Sequence, residues 1–127
     1  MKYLLDTHTA LWYFEQSPRL SRKAERIIDG TENEIYVCAV SLWEISIKVN
    51  LAKLDLSMTL GKFFNLIHDR NFFVIPIKNE YMLNLLNVPY IHKDPFDRLI
   101  ISTALMENLP IITADKNIQK YDLHWIW

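Results

Sequence analysis

The chain has a single cysteine, Cys38, among 127 residues, only two glycines, and almost no excess charge of either sign. One cysteine excludes an internal disulfide and any multi-cysteine zinc or iron–sulfur site, and fits a reducing, cytoplasmic setting. Two glycines exclude both the glycine-rich dinucleotide loop and the phosphate-cradling P-loop. With 14 Lys+Arg against 15 Asp+Glu, the net charge of −1 gives no overall attraction to nucleic acid. Any such binding must come from a local basic patch or a metal. No uncharged apolar run approaches the roughly 18 residues that cross a bilayer. Asp6 and His8 also interrupt the apolar start at Tyr3-Leu4-Leu5 too early for a signal peptide. These absences predict a soluble protein with no membrane partner.

What is present is hydrophobic: 50% of the residues, with 13% aromatic. That is enough to bury a core at this length, and it predicts one domain over residues 1–127. Short apolar runs alternate with stretches of helical period, the signature of an α/β architecture with a mainly parallel sheet flanked by helices. Strands are predicted at 3–5, 35–40, 72–75 and 109–113, with an edge segment at 124–127. Helices are predicted at 9–16, at 21–29 with Ser21 as N-cap, from Ser41 to about 51, at 60–70, at 79–86, from Pro95 onward, and briefly at 116–120.

In an open parallel sheet, ligands bind outside the carboxyl ends of the strands, where helix N-termini also converge. Four acids fall at such places. Asp6 follows the first strand, and Glu44 lies in the first turn of the helix after the second. Asp97 lies in the first turn of the helix preceding the fourth strand, and Asp115 follows that strand. Four carboxylates at one edge repel one another unless something positive sits among them. Hard divalent cations with oxygen ligands, Mg²⁺ or Mn²⁺, are the matching partners. A metal so held activates water and stabilises a leaving oxygen, which points to phosphodiester hydrolysis without a serine or cysteine nucleophile.

Each acid also has a plainer reading. Ser41-Leu42-Trp43-Glu44 fits a capping box, and Asp94-Pro95-Phe96-Asp97 a capped start with Asp94 at N-cap and Pro95 at N1. Asp6 and Asp115 suit turns after strands. It is the coincidence of all four at one edge that favours a metal.

The residues resemble a known family. Leu4-Leu5-Asp6-Thr7-His8 with Leu11-Trp12, Ser41-Leu42-Trp43-Glu44-Ile45 with Lys48, His92-Lys93-Asp94-Pro95-Phe96-Asp97-Arg98, and Thr113-Ala114-Asp115 are similar, nearly end to end and in order, to PIN-domain proteins. The branch they most resemble is that of the VapC-type toxins of bacterial type II toxin–antitoxin systems. The resemblance implies a PIN-like three-layer fold and an Mg²⁺- or Mn²⁺-dependent endoribonuclease held inactive by a cognate antitoxin. By position it makes Asp6, Glu44, Asp97 and Asp115 the metal-binding acids. Thr113 matches a position that can hold a metal-bound water, and Arg98 is a candidate phosphate contact. One departure is visible: Ala52 stands where many relatives have glycine.

Among the other residues, His8 reads as a polar residue orienting the first helix. His92 and Lys93 are candidate contacts to an RNA backbone, and Lys48 has the i,i+4 spacing of an ion pair with Glu44. Lys48, Lys93, Arg98 and Lys116 together are a candidate positive rim. Cys38, Trp43 and Phe96 read as core. Leu11, Trp12 and Phe14, with later apolar helix faces, read as surplus apolar surface for a homodimer or an antitoxin helix. Two competing functions remain open at this point. A phosphatase of the haloacid-dehalogenase kind wants a second Asp where His8 stands, and a non-catalytic interaction module would use the four acids only as caps.

Overall fold

The computed structural model describes residues 1–127. Its centre is a five-stranded, all-parallel sheet of β1 (Lys2–Leu5), β2 (Glu34–Cys38), β3 (Phe73–Ile75), β4 (Ile111–Ile112) and β5 (Trp125–Ile126), in the order β3-β2-β1-β4-β5. Six helices connect and cover it: α1 (Thr7–Phe14), α2 (Arg22–Asp29), α3 (Ala39–Asn50), α4 (Leu60–Asp69), α5 (Asn79–Leu83) and α6 (Pro95–Glu107). The predicted α/β class with a parallel sheet is the class observed.

Side chains alternate across the sheet, as the pleat requires. Leu4, Cys38 and Ile111 face a core shared with Tyr81 of α5 and Ile100, Ile101 and Ala104 of α6. Their neighbours Leu5, Val37 and Ile112 face the opposite core, with Ala10 of α1 and Ala24 and Ile28 of α2. The result is three layers. A third cluster packs Leu11, Ile45, Phe63 and Ile67 between α1, α3 and α4.

Several element boundaries differ from the sequence expectation. The second strand stops at Cys38 and α3 begins at Ala39, so Ser41 is no N-cap and there is no capping box with Glu44. Ser41 is fully buried inside the first turn, and Glu44 lies in the second. The first helix starts at Thr7, with Asp6 as its N-cap through a bond from Thr9 N. Two predicted helical stretches, 79–86 and 116–120, are partly or wholly 3-10 turns, at Asn84–Asn87 and Ile118–Lys120. The start of α6 is as expected, with Asp94 capping Asp97 N and Pro95 in the first turn.

The predicted surplus apolar surface lies elsewhere than expected. Leu11 is buried, and Phe14 is packed against Phe63 and Phe72. Among the most exposed apolar side chains are Leu83, Leu86 and Tyr90, at and beyond the end of α5, with Leu86 88% exposed.

Candidate metal centre

The strand order reverses at β1, and the crevice of such a sheet opens there, at the carboxyl ends of the strands. Asp6 stands at that point, 2% exposed. Its Oδ1 accepts from Thr9 N at 2.8 Å, and its Oδ2 accepts from the Thr113 hydroxyl at 2.5 Å. Thr113 follows β4, the neighbour of β1, and its Oγ1 also accepts from Asp115 N at 3.0 Å. One hydroxyl therefore ties the loop of Asp115 to the carboxylate of Asp6. Asp115 keeps its turn role as well, since its Oδ1 accepts from Asn117 N.

Glu44 reaches the same edge from α3. It is 3% exposed, and its Oε1 accepts from the Thr7 hydroxyl at 2.8 Å, which also pairs with the Ser41 hydroxyl at 3.0 Å. Its Oε2 meets Lys48 Nζ at 2.7 Å, the expected i,i+4 ion pair. A helical side chain leans toward its helix N-terminus, so a second-turn glutamate can point to the strand edge where α3 begins.

Asp97 completes the group from the first turn of α6. Its Oδ2 lies 3.1 Å from Nε2 of His92, whose Nδ1 lies 2.8 Å from the Tyr121 hydroxyl. Burial raises the Asp97 carboxyl to about 6; the nearby charges of Asp94, Asp115 and Glu44 push it in the same direction, against the His92 bond. Asp115 and Glu44 thus lie near enough to Asp97 for their charges to act on it. The Asp6 carboxyl is also raised, by burial above all, although the bonds from Thr113 and Thr9 and the charge of His8 oppose the shift.

The donor set fits a hard divalent cation, because the four acids and their threonine and serine partners offer oxygen only. Asp6 is the sharpest case, a buried carboxylate hydrogen-bonded to neutral donors and in no ion pair. Such a charge is costly to bury alone, and a cation would offset that cost. No three His, Cys, Asp or Glu side chains form a ready-made cage. Mg²⁺ does not need one, since it keeps several waters and takes one or two carboxylates directly.

The other candidates separate clearly. Arg98 is a correction: it is buried, not part of a rim. Its guanidinium donates to the carbonyls of Val88 and Pro89 and to the Tyr121 hydroxyl, and it stacks on Tyr90. It fastens the loop before α6 rather than offering charge to a phosphate. Lys93 and Lys116 are exposed and in no ion pair. His8 is exposed against Trp12, whereas His92 is half-buried between Asp97 and Tyr121 and is no free backbone contact. Cys38 is buried as expected, its thiol pushed up to about 12 by burial and therefore inert. Trp43 is a second correction: it is 57% exposed rather than core. Sequence reasoning assigned no role to Thr7 or Tyr121, and gave Ser41 only that of a cap. The signal for Thr7 and Ser41 was their position, one beside an acid and the other one helical turn before one.

A three-layer domain with an all-parallel five-stranded sheet flanked by helices, with Asp6 just after β1 tied through Thr113 to the Asp115 loop after β4, is PIN-like. The chain belongs to the PIN domain family, whose sequence model matches residues 3–123. It is 26% identical over 120 residues to "Ribonuclease VapC22" of Mycobacterium tuberculosis, covering 93% of this chain and 90% of that protein. In fold it is similar to a chain of VapBC2 from Rickettsia felis, solved bound to a DNA fragment from the promoter. There the TM-score is 0.75 at 18% identity, with 100% and 99% of the two chains covered. A chain of FitAcB from Neisseria gonorrhoeae gives 0.66 at 20% identity, covering 100% and 97%.

Proposed function

We propose that the protein is an Mg²⁺- or Mn²⁺-dependent endoribonuclease that hydrolyses RNA phosphodiester bonds and acts as the toxin of a toxin–antitoxin pair. The observation that carries this reading is the coupling of Asp6 to Asp115 through Thr113 at the edge that Glu44 and Asp97 also face. The ribonuclease among its relatives and the VapBC2 complex among its structural neighbours support the same direction.

Asp6, Glu44, Asp97 and Asp115 would hold the metal, which would supply an activated water and charge neutralisation at the leaving oxygen. The chain's own residues do the rest. Thr113 and Thr9 fix both oxygens of Asp6, Thr7 fixes one oxygen of Glu44, and His92 fixes one of Asp97. These bonds set the carboxylates before ligand arrives, which lowers the cost of organising the site. Lys48, Lys93 and Lys116 supply the local positive charge that the net charge denies, and they draw the phosphate backbone toward the acids.

A cognate antitoxin is the partner this reading implies. Leu83, Leu86 and Tyr90 are exposed apolar side chains, the kind of surface that a homodimer or an antitoxin helix would cover. The capping account explains part of Asp6 and Asp115 but neither Glu44, which caps nothing, nor Asp97, whose amide is the group being capped. The phosphatase reading has no second aspartate to use, because His8 stands in its place and leans on Trp12.

The test is metal-linked stability together with cleavage. The melting temperature should rise with Mn²⁺ in the wild type and not in Asp6→Asn, and single-stranded RNA should be cut only by the former. Equal metal response in both proteins, or cleavage by Asp6→Asn at the wild-type rate, would remove the reading.

A further inference from the structure

Next to two of the acids stands an aromatic pair that the fold leaves open. Trp43 precedes Glu44 on α3, and Phe96 precedes Asp97 on α6. Their rings meet edge to face, with centroids 5.4 Å apart and planes at 72°. Phe96 is partly buried against the core of the α6 face, so it anchors the pair. Trp43 is not anchored in that way, because 57% of it faces solvent. A tryptophan contributes to a core by burying its large apolar surface, and here most of that contribution is forgone. Charge complementarity at the same place favours an anionic chain: Lys48 is paired to Glu44 yet 37% exposed, and Lys93 on the loop before α6 is free.

We propose that Trp43, backed by Phe96, is a stacking platform for an unpaired base of single-stranded RNA, next to the bond to be cut. The proposal rests on the nuclease reading of the same acids and adds the residue that seats a base of its substrate. An unpaired base offers a π-face that an exposed indole can cover whatever the base identity, whereas bases inside an A-form duplex are stacked on each other. With the base seated on Trp43, at the contact between α3 and α6, the phosphate beside it would lie near Glu44 and Asp97 on the same two helices. Stacking thus sets the register of the strand over the carboxylates, while the lysines hold the backbone.

Binding without turnover is the direct test. In an Asp97→Asn background with Mg²⁺, the affinity for a fluorescently labelled single-stranded oligoribonucleotide is measured by anisotropy. Adding Trp43→Ala should weaken it about tenfold, in line with base–aromatic stacking. Trp43→Phe should restore most of the loss, and an abasic oligomer should bind the alanine variant and its parent alike. Unchanged affinity in Trp43→Ala overturns the proposal, as does an equal loss for the abasic oligomer. A loss that appears only together with dissociation of an oligomer, followed by light scattering, also overturns it and assigns the ring to a second copy of the chain. Failure of the wild type to cut RNA while Trp43-dependent binding persists would sink the nuclease reading and leave the platform standing. Normal cutting with Trp43-independent binding would do the reverse.

Discussion

Thr113 and Asp6 are separated by 107 positions in the chain, yet the hydroxyl of one donates to the buried carboxylate of the other. The parallel pairing of β1 with β4 brings them together, setting Leu5 beside Ile112 so that the next residues emerge side by side. The same hydroxyl receives Asp115 N. Thr113 is therefore the hinge on which two of the four acids are set, a role in positioning them.

Replacing it tests that role. Thr113→Val keeps the shape and removes the hydroxyl, which leaves Asp6 Oδ2 without its donor and Asp115 N without its acceptor. Leaving such buried groups unpaired costs on the order of 1–3 kcal/mol. Urea denaturation should show that loss, and RNA cleavage should fall more than tenfold. Thr113→Ser should retain both stability and cleavage. A valine variant that cuts RNA normally would show that the hydroxyl does not organise the acids.

The raised carboxyl of Asp97 makes a pH prediction whose sign is fixed by linkage. Its folded value of about 6 lies above the ordinary 3.8, so the folded state binds this proton more tightly than the unfolded chain does. Stability from this group is therefore full below about 4 and is lost as pH rises through about 6. Burial of Asp6 acts in the same direction. In the metal-free protein the melting temperature should decline over that window, and Asp97→Asn should flatten the decline and stabilise the protein at pH 7 by about 1 kcal/mol. Divalent metal should reverse the trend in the wild type, because it binds the deprotonated acids. A metal-free melting temperature that climbs between pH 4 and 6 to the same extent in both proteins would contradict the assignment.

How much of this could be read from the residues depended on whether one local signal was in play or two. Ser21 as N-cap and Asp94-Pro95 as a helix start were legible because each combines a polar cap with a chain-direction cue. The strand-to-helix boundary before Ser41 was not, because Cys38-Ala39-Val40 is an apolar run compatible with either period. That slip misplaced Glu44 by a turn and suggested a capping box, yet left it at the correct edge of the sheet. The expectation that Asp6, Glu44, Asp97 and Asp115 share one edge came from topology, which tolerates such shifts. Side-chain direction did not follow. Arg98 is adjacent to Asp97 in sequence, but a step of one residue turns a helix through about 100°, and it points into the carbonyls of Val88 and Pro89. The exposure of Trp43 was hidden for the same reason, since burial is decided by neighbours far along the chain.

Ala52 offers a prediction that concerns the fold alone. It follows the C-cap of α3, Leu51, with φ of 54°, in the left-handed region that favours glycine. The chain closes there by bonds from Lys53 N to Lys48 O at 2.8 Å and from Ala52 N to Val49 O at 3.1 Å, the paired arrangement that ends many helices on a glycine. An alanine methyl in this conformation costs about 1 kcal/mol, the physical reason glycine favours such positions. Ala52→Gly should therefore raise stability by up to that amount, despite the extra entropy glycine brings to the unfolded chain. Ala52→Val should lower it further, because a β-branched side chain fits the left-handed region worse still. Denaturant midpoints at constant slope measure both changes. The residue is exposed, so packing does not confound them. A glycine variant less stable than the wild type would mean that the helix end relaxes out of this conformation in solution.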